Sequence, residues 1–363
     1  MNLTNTTYLE KQHIRNLNID INSVCNAACP GCARQIDNIY PSNGYPINKH
    51  MSTETWTKLF TEMGPIIESV VLCGNYGDAA GTATLPELIE LAHTINPKIH
   101  FIVVSNMGLG STAFWKKLAL LPNVMIQCSI DGLSDTNHIY RRFVDWSIVW
   151  RNINTITQHG AVCEWKFIEF SWNTHQIEEA RSISKTLGFN NFIVTPNNNL
   201  VANDIFYKAY TDNIDDWDNK RAFKGLVAPE QTDLREDDSF DVQLDLLKSR
   251  EMHADTIQCY TKTVDQSIHI DWQGSVWPCC WYGGAVYHPY ELQRHVHNST
   301  MAHYTKDWNN LEHHTVGDIL QHEFYTHDLM VAQDAKRSLT CYASCGKCND
   351  EFNIVNTIGK QSS

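Results

Sequence analysis

Between Leu17 and Thr195 the chain alternates short apolar runs of strand length with longer segments of helical period. This alternation limits the fold more than any other feature. The strand-like runs are Leu17–Ile21, Val70–Cys73, Ile99–Val104, Val124–Ile130, Val162–Ile168 and Phe192–Thr195. Between them, Ser52–Met63 sets Trp56, Leu59, Phe60 and Met63 on one helical face. Thr84-Leu85-Pro86 opens a second helix through Leu91, and Thr112–Leu121, Trp146–His159 and His175–Leu187 supply three more. Six strands separated by helices of this size predict a parallel β/α array, whose polar loops and active site lie at the C-terminal strand ends. Periodicity alone leaves two closures open, a partial barrel and a doubly wound sheet.

The 363 residues are 42% hydrophobic and 10% aromatic, which excludes a disordered chain and allows one large domain with a smaller one. A net charge of −13 argues against a dedicated binder of nucleic acid or anionic membrane and mildly favours a cationic or neutral substrate. No apolar run approaches the roughly 18 residues of a membrane span. The start, Met1 to Thr7, lacks the basic flank and apolar core of a secretory signal, so a cytoplasmic protein is expected. In a reducing compartment, twelve cysteines point to metal or redox chemistry where they cluster.

They cluster twice. Cys25-Asn26-Ala27-Ala28-Cys29-Pro30-Gly31-Cys32 places three thiols within eight residues, directly after the first strand. Such a loop can wrap one compact centre of iron and sulfur or of zinc, and zinc would want a fourth protein ligand. The bland alternative is a zinc knuckle or unrelated thiols. Gly74-Asn75-Tyr76-Gly77-Asp78 closes the second strand, Ser105-Asn106 the third and Ser129-Ile130-Asp131-Gly132 the fourth, with Arg141 and Arg142 in the next loop. Taken singly, these are ordinary turn, capping and surface-pairing residues.

The CxxxCxxC spacing after a first strand resembles the signature of radical S-adenosylmethionine enzymes, and the resemblance covers most of the chain. It implies a partial (β/α)6 TIM-like barrel in which Cys25, Cys29 and Cys32 are both catalytic and metal-binding. They would hold a [4Fe-4S] cluster whose open iron binds S-adenosylmethionine. The family's usual aromatic before the third cysteine is replaced by Gly31. Gly74, Asn75, Tyr76, Gly77 and Asp78 resemble the family's glycine-rich segment for the cofactor's amino group. By position, Ser105, Asn106, Ser129 and Asp131 would border its ribose or methionyl part, and Arg141 or Arg142 its carboxylate.

Fourteen residues separate Cys259 from Gly274, four separate Gly274 from Cys279, and Cys341, Cys345 and Cys348 follow. This resembles the C-terminal module called twitch, a shortened relative of SPASM, and implies an auxiliary [4Fe-4S] cluster on Cys259, Cys279, Cys345 and Cys348. Cys280 and Cys341 are spare in that assignment, and either could replace a neighbour. A structural zinc site of four cysteines is the alternative. Cys73, Cys128 and Cys163 fall in strand patterns and read as core. The late histidines, His288 to His314, have no compact ligand spacing and read as surface groups. Trp146, Trp150, Trp165 and Trp172 read as packing residues.

The expected class is therefore α/β, a partial TIM-like barrel over 1–196, with an acidic linker or substrate-side insertion over 197–255. A small α+β iron–sulfur domain, twitch-like, would occupy 256–363. The resemblance implies reductive cleavage of S-adenosylmethionine to a 5′-deoxyadenosyl radical that removes a substrate hydrogen atom. A peptide is the leading substrate. Radical oxidation, epimerisation or rearrangement of a small metabolite such as a sugar or nucleoside is the alternative. Flavodoxin or ferredoxin would be the electron donor. A non-catalytic binding protein stabilised by zinc or iron is the reading from a different class.

Overall fold

The computed structural model of the chain describes residues 8–29, 32, 48–196, 256–287, 304–305, 307–334, 341 and 345–347. The expected acidic segment 197–255, Cys348, and the histidines between 288 and 303 lie outside the described residues. The chain forms two units. One is built from Ile19–Thr57 and Glu68–Pro229, the other from Met1–Asn18, Lys58–Ile67 and Glu230–Ser363.

The first of these units is the strand–helix alternation made physical. Its strands are β2 (Ser69–Leu72), β3 (His100–Ser105), β4 (Val124–Ser129), β5 (Val162–Glu169) and β6 (Asn191–Pro196), each parallel to the next in chain order. The end of β1 (Asn16–Ile19) meets this run where Cys73 N donates to Ile19 O at 3.0 Å. A doubly wound sheet reverses its strand order at a switch point. Here the order runs without reversal from β2 to β6, as a singly wound barrel requires.

One face of each strand from β2 to β5 is sealed. In β4, Val124, Ile126 and Cys128 are buried, while Met125, Gln127 and Ser129 on the opposite face stay half-buried. The helices are α1 (Thr53–Met63), α2 (Leu85–Ile95), α3 (Thr112–Ala119), a short α4 (Asn137–Tyr140), α5 (Trp146–Gln158) and α6 (Ile177–Leu187). Their starts follow local chemistry. Ser52 accepts from Thr55 N, Ser111 from Phe114 N and Asp145 from Ser147 N, and Pro86 sits in the first turn of α2. Gly188, at φ +86°, ends α6. Trp56 is fully buried and donates its ring N–H to Leu88 O, tying α1 to α2.

In the other unit, β7 (Thr256–Ile257) pairs antiparallel with β10 (Gly346–Lys347). β8 (Ser267–Ile270) and β9 (Val276–Trp277) pair as an antiparallel hairpin. Asp271 ends β8, because its carboxylate accepts from Gln273 N, Ser275 N and Trp277 Nε1 and folds the chain into a turn. Among the described residues, the helices α7 (Cys280–Tyr287), α8 (Val316–Leu320) and α9 (Leu329–Asp334) follow. A capping box of Thr315 and Asp318 starts α8. Glu62 adds acceptors for Val316 N and Gly317 N.

Candidate active site

The cysteine loop leaves β1 and is fastened at once. Asn22 donates its side-chain amide to Asp78 O at 2.9 Å and to Thr82 Oγ1 at 2.8 Å, and its Oδ1 accepts from Val24 N. Asp78 N in turn donates to Val24 O at 2.7 Å. The loop after β2 is so close to Asn22 that a Cβ on Gly77 would lie 2.4 Å from Asn22 O. Only glycine allows that approach.

Asp78 is the knot between loops. It is buried, and its carboxylate accepts from Ala80 N at 3.0 Å and from Asn106 N at 2.7 Å. Burial pushes its pKa up, and the bonds from Asn106, Ser105 and Ala80 pull it back. Ser105 Oγ also accepts from Met107 N. Asn75 donates its N–H and side-chain amide to the buried carboxylate of Asp20. Cys73 differs from its expected core role. It is half-buried, with Sγ 3.6 Å from Asp20 Oδ1 and 3.3 Å from Asn75 Nδ2. Cys128 and Cys163 are fully buried, as expected of core thiols.

Three donors reach the first cysteine group. Cys25 Sγ lies 3.4 Å from Ala27 N and 3.6 Å from Asn106 Nδ2, and Cys29 Sγ lies 3.8 Å from an Arg141 guanidinium nitrogen. Asn26 and Asn106 bond to each other at 3.0 Å, and Asn26 also donates to Gly108 O. Ala28 N donates to Arg142 O, and Cys32 N to Cys29 O. Arg141 is held from behind by Asp131, Nε to Oδ2 at 2.6 Å, and Asp131 accepts from Ile168 N. Arg142 is buried, and its guanidinium carbon lies 5.4 Å from the centre of the Phe143 ring. Ser129 is half-buried opposite Lys166 in the β4–β5 register.

Donors directed at sulfur suit thiolates, which accept better than thiols. Burial pushes the Cys29 thiol up to about 11, the Arg141 charge pulls it down and Cys32 raises it again. The donor set fits an iron–sulfur centre: three soft ligands in one loop, with polarised N–H groups on two of them.

In the other unit, Cys259, Cys279, Cys280, Cys341 and Cys345 form a second gathering. Burial drives the Cys279 pKa well up, and the charges of Cys280, Cys341 and Cys259 add to it. Cys259 is bonded by Cys345, Thr261 and Tyr8. Its thiol is held below the ordinary value by the Cys345 bond first, against burial, while Cys345 is raised. The cysteine spacing of the sequence reaches these residues. Cys341 is buried within reach of Cys279 rather than set apart. None of the described cysteines is in a disulfide. Asp20, Asn22, Asn26 and Tyr8 are the site residues that sequence reasoning missed. Asn22 precedes the cysteine motif and Asn26 lies within it, but nothing local marks Asp20 or Tyr8.

Two of the comparisons with known proteins bear on this arrangement. Residues 259–349 match the family model SPASM, an iron–sulfur cluster-binding domain. No curated protein sequence matches the chain. Among solved structures, anSMEcpe with bound AdoMet is 13% identical, with a TM-score of 0.50, over 88% of this chain and 80% of that one. SuiB of Streptococcus suis bound to S-adenosylmethionine is 14% identical over 78% and 67%, at a TM-score of 0.47. BtrN in complex with AdoMet and 2-DOIA is 10% identical over 93% and 94%, at 0.41. The likeness to anSMEcpe establishes the fold alone, an α/β array with the partial-barrel strand order described above. No described helix is long and apolar enough to cross a membrane. Residues 259–349, with their gathered cysteines, are similar to the SPASM iron–sulfur cluster-binding domain.

Proposed function

We propose that the chain is a radical S-adenosylmethionine enzyme. Cys25, Cys29 and Cys32 would hold a [4Fe-4S] cluster with one iron left for the cofactor. The observation that carries this reading is the fastening of the cysteine loop to the ends of β3 and β4, with Asn106 and Arg141 donating to the sulfurs of Cys25 and Cys29. The fold shared with anSMEcpe, a protein solved with bound AdoMet, supports it. When bound, the cluster and S-adenosylmethionine supply one electron and a 5′-deoxyadenosyl radical that removes a substrate hydrogen atom.

The chain's own residues fix where that chemistry happens. Asp78 locks the β2 and β3 loops together, so the backbone of Gly74 to Gly77 is a rigid wall for the cofactor's amino group. Arg141 has one nitrogen on Asp131 and another towards Cys29, which leaves the rest of its fork for a carboxylate. Ser129 and Asp131, at the end of β4, border the same space. In the SPASM domain we assign Cys259, Cys279, Cys345 and Cys348 to an auxiliary [4Fe-4S] cluster, with Cys280 or Cys341 able to replace a neighbour. A peptide is the substrate class we favour: the chain is acidic, and it carries the SPASM domain.

Anaerobic reconstitution tests the reading. About eight irons per chain, a reducible cluster spectrum and 5′-deoxyadenosine release are expected. Cys25→Ala should abolish release and remove half of the iron. Zinc in both sites with no cofactor cleavage overturns the proposal. Single alanine variants of Cys341 and Cys348 decide the fourth auxiliary ligand, since only the true ligand lowers the iron content.

A further inference from the structure

The N-terminal residue Tyr8 lies outside the matched SPASM segment, 251 positions from Cys259, yet the two meet in a buried contact. The Tyr8 hydroxyl is 2.7 Å from Cys259 Sγ, and Tyr8 is 1% exposed. Thr261 Oγ1 completes a triangle, 3.3 Å from the phenol and 3.2 Å from the sulfur. The ring is fixed on several sides. Tyr8 N donates to Tyr325 O at 3.1 Å, the two rings lie 6.1 Å apart, and Tyr325 is anchored by its own hydroxyl on Val276 O. Lys262 Nζ stands 5.3 Å from the centre of the Tyr8 ring.

A buried phenol must place its proton on an acceptor, and a metal-bound thiolate can only accept. The direction of the bond follows: Tyr8 donates to Cys259. Hydrogen bonds to cluster sulfurs favour the reduced, more negative state and so raise its potential. We propose that Tyr8 is a positioning residue that raises the reduction potential of the auxiliary cluster through the sulfur of Cys259. This rests on the assignment of Cys259 as a ligand. A segment far away in sequence thereby tunes how readily the SPASM cluster takes up an electron.

The test is a mediated redox titration of the reconstituted full chain, with dithionite as the electron source. Cys25, Cys29 and Cys32 are replaced by alanine so that only the auxiliary cluster titrates. Tyr8→Phe keeps the ring and removes the donor. Its iron content should be unchanged, while its equilibrium constant for one-electron reduction falls about tenfold, a shift of about 59 mV to more negative potential. Thr261→Val, with Tyr8 intact, should shift it less. An unmoved potential with full iron in Tyr8→Phe overturns the inference. So does loss of the cluster in that variant, which would make Tyr8 a structural support. Cys259→Ala separates the underlying assignment: unchanged iron and spectrum there would show that Cys259 is no ligand, whatever Tyr8→Phe does.

Discussion

Arg141 bridges an acid and a thiol: its Nε lies 2.6 Å from Asp131 Oδ2, and another guanidinium nitrogen lies 3.8 Å from Cys29 Sγ. Asp131 is fully buried and Arg141 is half-buried. Breaking a buried pair from one side leaves an uncompensated charge and costs about 3–5 kcal/mol. Arg141→Ala should lower the unfolding free energy of the metal-free chain, read from urea melts, by an amount in that range. Arg141→Lys should lose less, because it keeps the charge and gives up only the fork. Equal losses in the two variants would show that the planar geometry, not the charge, holds Asp131.

Asp78 offers a second, separable effect. Its carboxylate satisfies two backbone N–H groups that belong to different loops. Asp78→Ala strands both, at about 1–3 kcal/mol for each buried unsatisfied group. The wall of Gly74 to Gly77 should then loosen. On the proposed function, S-adenosylmethionine binding to the reconstituted chain should weaken at least about tenfold, for a loss of roughly 1.4 kcal/mol, as equilibrium dialysis would measure. Asp78→Asn keeps one acceptor and should fall between. Full affinity in Asp78→Ala would remove this loop from the cofactor site.

Much of this arrangement was open to sequence reasoning, and the part that was not has a common cause. The strands and helices announce themselves through local period and caps, as at Ser111 and Asp145, so β1 to β6 fall within a few residues of expectation. The two cysteine groups are legible because soft ligands at short spacing have few other uses. Asp20, Asn22 and Tyr8 act through partners 55, 56 and 251 positions away, and no local pattern carries such distances. Cys73 looked like core because its strand is apolar. A strand end in this fold opens onto the site, and the thiol meets Asp20 and Asn75 there.

His269 on β8 makes stability depend on pH. Burial lowers its pKa from 6.5 to about 4, with a bond to the Asn18 backbone opposing the shift. The unfolded chain therefore binds a proton that the folded one refuses. The stability linked to the neutral ring is fully present above about pH 6.5 and is lost as pH falls towards 4. Between pH 8 and pH 5.5 the loss is about 1.4 kcal/mol. Urea melts of the metal-free chain at the two pH values should show it. In His269→Leu this share of the pH dependence should disappear, and an unchanged slope would mean that another group carries it.

Gly77→Ala tests whether the close approach of two loops builds the first cysteine site. A Cβ there would meet Asn22 Oδ1 at 2.2 Å, Asn22 O at 2.4 Å and Asn22 C at 2.9 Å. Two of these atoms are backbone and cannot swing aside. Overpacking of this kind costs about 1–3 kcal/mol, and here the strain falls on the residue that ties Val24 to Asp78 and Thr82. Iron bound through Cys25, Cys29 and Cys32 should fall several-fold, while the SPASM iron is retained. Gly160→Ala is the control: its φ of +73° strains any side chain, but no atom lies within 4 Å of the added Cβ. That variant should lose about 1 kcal/mol of stability and keep all its iron. Equal iron loss in both variants would assign the effect to general destabilisation, and full iron in Gly77→Ala would separate the β2 loop from assembly of the cysteine site.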